Sequence, residues 1–181
     1  HVIELDIQTS SSDNLAHGNK NIFVLKTASN TYYAKSVILA TGATAKWLGL
    51  PNEAILRQNG GVSGCATCDG AFYKNQDVAV IGGGNTAAEE ALFLSKITKQ
   101  VFLIHRRDSL RCEKVLLDRI LATKNIEIIW NSRVKEMLPD ANNKLRALLL
   151  ENVVNNETTE LAVQGAFIAI GHNPNSDLVK D

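Results

Sequence analysis

Apolar and polar positions alternate through Val2-Ile3-Glu4-Leu5-Asp6-Ile7, the period of a half-buried strand. Residues 21–27 and 31–40 flank Ala28-Ser29-Asn30 and predict a hairpin. Its second arm ends in Val37-Ile38-Leu39-Ala40-Thr41-Gly42-Ala43. A continuous apolar run stopped by Thr-Gly predicts a buried strand ending beneath a ligand. Residues 44–64 read as irregular, with Gly49, Pro51, Gly60, Gly61 and Gly64 as breakers. A domain boundary is expected near residues 43–46.

The pattern then changes. Val78-Ala79-Val80-Ile81 is a short apolar run, the mark of a strand buried on both faces. Residues 86–97 read as a helix, with Ala87, Ala91, Leu94 and Ile97 on its apolar side. Val101-Phe102-Leu103-Ile104 is a second buried strand, residues 110–122 a second helix and residues 126–130 a third strand. This β-α-β-α-β order predicts an α/β fold, a Rossmann-like parallel sheet with right-handed crossovers. Residues 145–153 and 159–163 read as an antiparallel pair turning at Asn155-Asn156-Glu157, and residues 166–170 as a last buried strand ended by Gly171.

Composition narrows the function classes. With 45% hydrophobic residues among 181, the chain can bury a real core, as one domain or one domain plus a piece of another. Lys+Arg and Asp+Glu both total 19, so no global field draws the chain to nucleic acid or to an acidic membrane, and an anion site must be local. No apolar run is long enough to span a bilayer and no signal-peptide pattern opens the chain, so a cytoplasmic protein is expected. It starts with His1 rather than Met, as expected of a fragment.

Three motifs carry chemistry. The first is Gly82-Gly83-Gly84-Asn85-Thr86-Ala87, a G-x-G-x-x-A that follows a strand and opens a helix. Gly82 permits a tight turn, Gly84 lets backbone approach a pyrophosphate, and Ala87 is small enough for helix to pack on strand. Free N–H groups at the helix start favour the phosphate charge. The second is His105-Arg106-Arg107-Asp108-Ser109-Leu110-Arg111, just after the second strand. In a Rossmann unit the adenine ribose lies there, and an NAD site places Asp or Glu at that point. Arg106 and Arg107, with Arg111 about one helical turn on, instead offer paired donors to a 2′-phosphate. NADPH is the expected cofactor.

The third is Cys65-Ala66-Thr67-Cys68-Asp69, between Gly64 and Gly70. A C-x-x-C can close a small disulfide and exchange it with a partner thiol, with Asp69 as the nearby proton donor or acceptor. Two buried inert thiols also fit the spacing. Zinc needs two more ligands, and Cys112, His1, His17, His105 and His172 offer no matching pair, so no metal is expected. Cys112, placed in the second helix, reads as a small buried hydrophobe without a role.

Residues 61–70 (GVSGCATCDG), 78–91 (VAVIGGGNTAAEEA) and 105–111 (HRRDSLR), flanked by Ala40-Thr41-Gly42-Ala43 and by residues 169–175, occur in one order. In this the chain resembles the bacterial low-molecular-weight thioredoxin reductases, and the resemblance covers essentially its whole length. It implies a flavoprotein of two dinucleotide-binding domains, in which an FAD domain is interrupted by an NADPH domain carrying the disulfide. Electrons would pass from NADPH to FAD, then to a Cys65–Cys68 disulfide and on to thioredoxin. Cys68 would face the flavin, Cys65 would attack thioredoxin, and Asp69 would be the acid/base carboxylate. Arg106, Arg107 and Arg111, with His105 beside them, would hold the 2′-phosphate end. Gly82, Gly83, Gly84, Asn85 and Thr86 would form the pyrophosphate loop.

Residues 1–43 and 173–181 would be parts of the FAD domain, with Thr41 and Gly42 at the cofactor, and residues 44–172 the NADPH domain. The crossings at residues 43–46 and 171–175 would be hinges, since the resemblance also implies that one domain rotates against the other and that the complete enzyme is a homodimer. No dinucleotide fingerprint precedes Val78, so this chain is expected to hold an incomplete FAD domain. Two other readings remain. One is a stand-alone NADPH-binding domain with an inert cysteine pair. The other is a peroxiredoxin-reducing flavoprotein relative, which usually has Pro-His where Ala66-Thr67 stands.

Overall fold

The computed structural model describes residues 2–10 and 20–179; His1 and His17 lie outside them. The elements in chain order are β1 (Val2–Ser10), β2 (Lys20–Thr27), β3 (Thr31–Ala34), β4 (Ala43–Ala45), α1 (Glu53–Asn59), β5 (Val62–Ser63), α2 (Ala66–Asp69), β6 (Asp77–Gly82), α3 (Asn85–Leu94), β7 (Gln100–Ile104), α4 (Lys114–Ala122), β8 (Ile126–Ile129), β9 (Ser132–Pro139), β10 (Leu145–Asn152), β11 (Thr158–Ala162), β12 (Gly165–Ala169) and β13 (His172–Pro174). They fall into two compact units. One comprises the described residues up to Thr44 and those from His172 onward, the other Ala45–Gly171.

The first unit is an antiparallel meander, β1-β2-β3. Among its described residues Val24 is the one fully buried apolar side chain, so the sheet has little core of its own. The apolar run at residues 37–40 corrects the strand reading. The second hairpin arm ends at Ala34, residues 35–42 are neither helix nor strand, and Ile38 is 92% exposed. An apolar run becomes a buried strand only where neighbours pair its backbone and cover its side chains, and the described residues supply neither.

The second unit is built on a five-stranded sheet in the order β5-β12-β6-β7-β8, parallel throughout. β6 lies between β12 and β7, and its alternate residues enter two cores. Val78 and Val80 point to α3 and α4, where Ala87, Ala91, Leu94, Leu103, Ile120 and Phe167 pack with them. Ala79 and Ile81 join Ile104, Met137, Leu148, Val163 and Ile168 against the antiparallel sheet β11-β10-β9. Both faces are covered, which is why these strands read as unbroken apolar runs.

Among the elements not evident from the periodicity are α1, β5 and β9. α1 is seven residues long and sits among breakers, yet Leu56 at its centre is fully buried. β5 has only two residues, paired with Ala166 and Phe167. β9 loses its alternation because the β9–β10 register shifts: Glu136 faces Leu149 and Val134 faces Leu150, leaving Lys135 as an extra residue. The second helix begins at Lys114, not residue 110. Arg111 N–H donates instead to the Gly83 carbonyl (2.7 Å), which takes residues 110–113 out of the helical pattern. Cys112 is therefore in the loop before α4, half buried, rather than in the helix.

β6 ends at Gly82, where a side chain has no room. A Cβ there would collide with the Ala169 carbonyl oxygen of β12 and lie 2.7 Å from the Ala87 Cβ of α3. Backbone cannot yield as a flexible side chain does, so Gly82→Ala is expected to destabilise the unit by about 1–3 kcal/mol, the usual cost of overpacking. A lowered denaturant midpoint with an unchanged slope checks this.

Candidate functional site

The glycine turn, the end of β7 and the last residue of β12 meet at the carboxyl edge of the parallel sheet, where open α/β sheets bind ligands. A cavity of about 570 Å³ opens there, lined by Gly82, Gly83, Gly84, Thr86, His105, Arg106 and Arg111 among others. The three glycines differ in what they need. Gly82 is closed in by β12 and α3, and a Cβ on Gly83 would strike the His105 ring. Gly84, the N-cap of α3, faces open space within 4 Å, so its missing side chain leaves room for a ligand. The residues present fit a pyrophosphate at this turn.

His105 is buried behind the turn, with Trp130 set edge-on at 6.4 Å between ring centroids. Its Nε2 has no hydrogen-bond partner. Burial pushes the imidazole below its ordinary range, and nearby Arg111 and Arg107 push the same way, so the ring is neutral at pH 7. Arg106, Arg107 and Arg111 are exposed. Among the described residues none of the three pairs with a carboxylate. Arg106 and Arg111 line the cavity and Arg107 does not. Asn85 does not line it either. Its Oδ1 accepts from Glu113 N–H (2.9 Å) and its Nδ2 donates to Glu113 Oε1 (3.3 Å).

The irregular segment contributes what periodicity missed. Leu48 and Leu50 line the cavity. The buried Glu53 carboxylate fixes this turn by accepting from Leu48 N–H (3.0 Å) and Gly49 N–H (2.7 Å).

Cys65 and Cys68 form a disulfide with Cα atoms 5.3 Å apart, and Cys112 is free. Cys65 caps α2, its sulfur accepting from Cys68 N–H at 3.2 Å. Cys68 is exposed and Cys65 half buried. Asp69 is held by a neighbour the sequence reading passed over: Ser63 Oγ donates to Asp69 Oδ2 (2.6 Å) and accepts from Cys65 N–H (3.0 Å). One buried hydroxyl thus ties the cysteine backbone to the carboxylate. A second depression, lined by Cys65, Cys68, Asp69, Trp47 and Arg57, opens over the disulfide. The Arg57 guanidinium stacks 3.5 Å from the Trp47 ring centroid. The two hollows share no residue.

Thr41 and Gly42 belong to the other unit, exposed, and line neither hollow. Their carbonyls accept from Asn175, Thr41 from Nδ2 and Gly42 from the backbone N–H, both at 3.0 Å. Alone these residues do not make a flavin pocket. Among the described residues no group of three or more His, Cys, Asp or Glu is placed to hold a metal, and no helix is long and apolar enough to cross a membrane.

A sequence profile described as pyridine nucleotide-disulphide oxidoreductase matches residues 4–181. The chain belongs to that family. Its relatives include thioredoxin reductases of Streptomyces coelicolor (50% identical, 87% of this chain and 48% of the relative) and Buchnera aphidicola (45%, 98% and 57%). Among solved structures, the thioredoxin reductase of Lactococcus lactis superposes with a TM-score of 0.83 at 35% identity, covering 100% of this chain and 55% of its own. That of Streptococcus pyogenes gives 0.80 at 40%, with the same coverage. The chain thus spans about half the length of the relatives it matches, and the FAD/NAD(P)-binding fold is theirs.

Two outcomes follow from this geometry. Gly84→Ala is expected to leave the denaturation midpoint near the parent's, since its Cβ meets nothing, yet to weaken dinucleotide binding by occupying the ligand's space. Calorimetric titration alongside denaturation separates the two. His105 sets a pH dependence. The unfolded imidazole binds its proton near pH 6.5 and the folded one only at lower pH, so stability present above pH 6.5 is lost as pH falls through that range. His105→Gln should flatten the fall in thermal midpoint between about pH 7.5 and 5.5.

Proposed function

We propose that the chain is the nucleotide- and disulfide-bearing part of a thioredoxin-disulfide reductase, using NADPH and FAD. The observation that carries this reading is one folded unit with two separate devices: a dinucleotide turn beside three arginines that pair with no carboxylate among the described residues, and an exposed disulfide with a tethered carboxylate. The arginines supply countercharge for the 2′-phosphate that distinguishes NADPH from NADH. The two hollows have no residue in common, which suits a carrier that connects them. In the complete protein FAD, when bound, would supply that two-electron chemistry.

The chain's own residues perform the thiol steps. Two electrons and two protons convert the Cys65–Cys68 bond to a dithiol. Cys65 then attacks a partner disulfide as thiolate, forming a mixed disulfide and expelling one partner thiolate. Cys68 attacks the Cys65 sulfur, re-forming the internal bond and releasing the second partner thiolate. Cys68 N–H stabilises charge on the Cys65 sulfur, and Asp69, held by Ser63, exchanges the proton. Thioredoxin is the partner that the relatives' names point to.

In this reading residues 1–43 and 173–181 belong to the FAD domain and residues 44–172 to the NADPH domain. The crossings between them are hinges. The complete protein is a homodimer in the cytoplasm, a reducing compartment in which a free thiol such as Cys112 persists.

Charge-assisted hydrogen bonds contribute about 1.5–3 kcal/mol each, so Arg106→Ala or Arg107→Ala should weaken NADPH binding by roughly ten- to hundredfold and leave NADH binding nearly unchanged. Titration of both nucleotides checks this, and equal losses would reassign the arginines to the fold or the pyrophosphate. In the complete protein, Cys68→Ser should abolish thioredoxin reduction while NADPH still bleaches the flavin. Loss of bleaching in a folded variant would contradict the order of steps.

A further inference from the structure

We propose that Asn85 and Glu113 form a clasp that sets nucleotide specificity without touching the nucleotide, by fixing the arginine loop to the glycine turn. The proposal rests on the NADPH reading above and gives Asn85 a different task from that of a pyrophosphate ligand. Asn85 is the first residue of α3 and Glu113 immediately precedes α4. Their side chains and backbone meet twice, Glu113 N–H to Asn85 Oδ1 at 2.9 Å and Asn85 Nδ2 to Glu113 Oε1 at 3.3 Å. Two residues earlier, Arg111 N–H reaches the Gly83 carbonyl at 2.7 Å. Three hydrogen bonds thus bind residues 111–113 to residues 83–85.

The geometry separates roles that the motif merges. Gly83, Gly84, Thr86, Arg106 and Arg111 line the cavity, whereas Asn85 and Glu113 do not. The clasp takes the Asn85 amide oxygen and one of its two Nδ2 hydrogens, and the residue does not line the cavity. Arg111 lies outside regular structure and has no carboxylate partner among the described residues. What aims it at the 2′-phosphate is the backbone fixed at its own N–H and at Glu113. A loosened loop leaves the charge present but not preorganised, and ordering it is then drawn from the binding energy. NAD⁺ lacks the 2′-phosphate and does not register that loss.

The test is calorimetric titration of the full chain with NADP⁺ and with NAD⁺, for the parent, N85A, E113A, E113Q and N85A/E113A. N85A is expected to lower NADP⁺ affinity by about tenfold and NAD⁺ affinity by less than about twofold. E113A, which loses one of the two links, should fall between N85A and the parent. E113Q keeps an acceptor for Nδ2 while removing the charge, and should retain the parent's NADP⁺/NAD⁺ ratio. The double variant should be no worse than N85A, because both changes act on one connection. A general loss of stability would not move the ratio of two affinities, so that ratio reports positioning. Equal losses of both nucleotides in N85A, with E113A unchanged, would make Asn85 a pyrophosphate ligand and overturn the clasp. A parent that does not prefer NADP⁺ would instead overturn the NADPH reading.

Discussion

The proposed nucleotide site depends on one close approach, that of the Gly82 backbone to the Ala169 carbonyl and to Ala87. Three elements from distant parts of the chain, β6, β12 and α3, converge on a point that holds no side chain. Helix α3 can begin at once because Ala87 and Ala91 let it lie directly on the sheet. Gly84 and Thr86 at its start line the cavity, and the Arg111 N–H is drawn to the Gly83 carbonyl. A larger group at Gly82 would push the helix outward and separate the two halves of the site.

The same unit carries the disulfide on a different support. α2 is a single turn, held by Ser63 of β5 through bonds to Cys65 N–H and to Asp69. β5 pairs in turn with β12, whose other neighbour is β6. The two devices are therefore built on one sheet and keep a fixed relation, yet they open into different hollows. A fixed separation suits a mechanism in which electrons are carried between them rather than handed over directly.

Much of this was legible in the chain. The runs at residues 78–81 and 101–104 read as strands covered on both faces, and the glycines between strand and helix have the spacing of a dinucleotide turn. The cysteine pair had the spacing to close a disulfide, with two inert thiols as the other reading. What stayed hidden depended on tertiary partners. Nothing in residues 37–40 indicates whether neighbours will cover them. The extra residue in β9 erases alternation that its pairing partner would reveal. Arg111 shows in sequence as the first turn of a helix, and only the carbonyl of Gly83 explains why it is not. Asn85 reads as part of the ligand loop, and its bonds to Glu113 appear only in the fold. Ser63 is silent in the sequence because a serine among glycines carries no periodic signal.

The central claim is that electrons from NADPH reach the Cys65–Cys68 bond. It is tested most directly by adding one equivalent of NADPH to the complete protein without oxygen, quenching with an alkylating agent and mapping the labelled cysteines by mass. Cys65 and Cys68 should pass from disulfide to alkylated thiols, while Cys112 labels equally with and without NADPH. A Cys65–Cys68 bond that survives intact while NADPH is consumed would contradict the account.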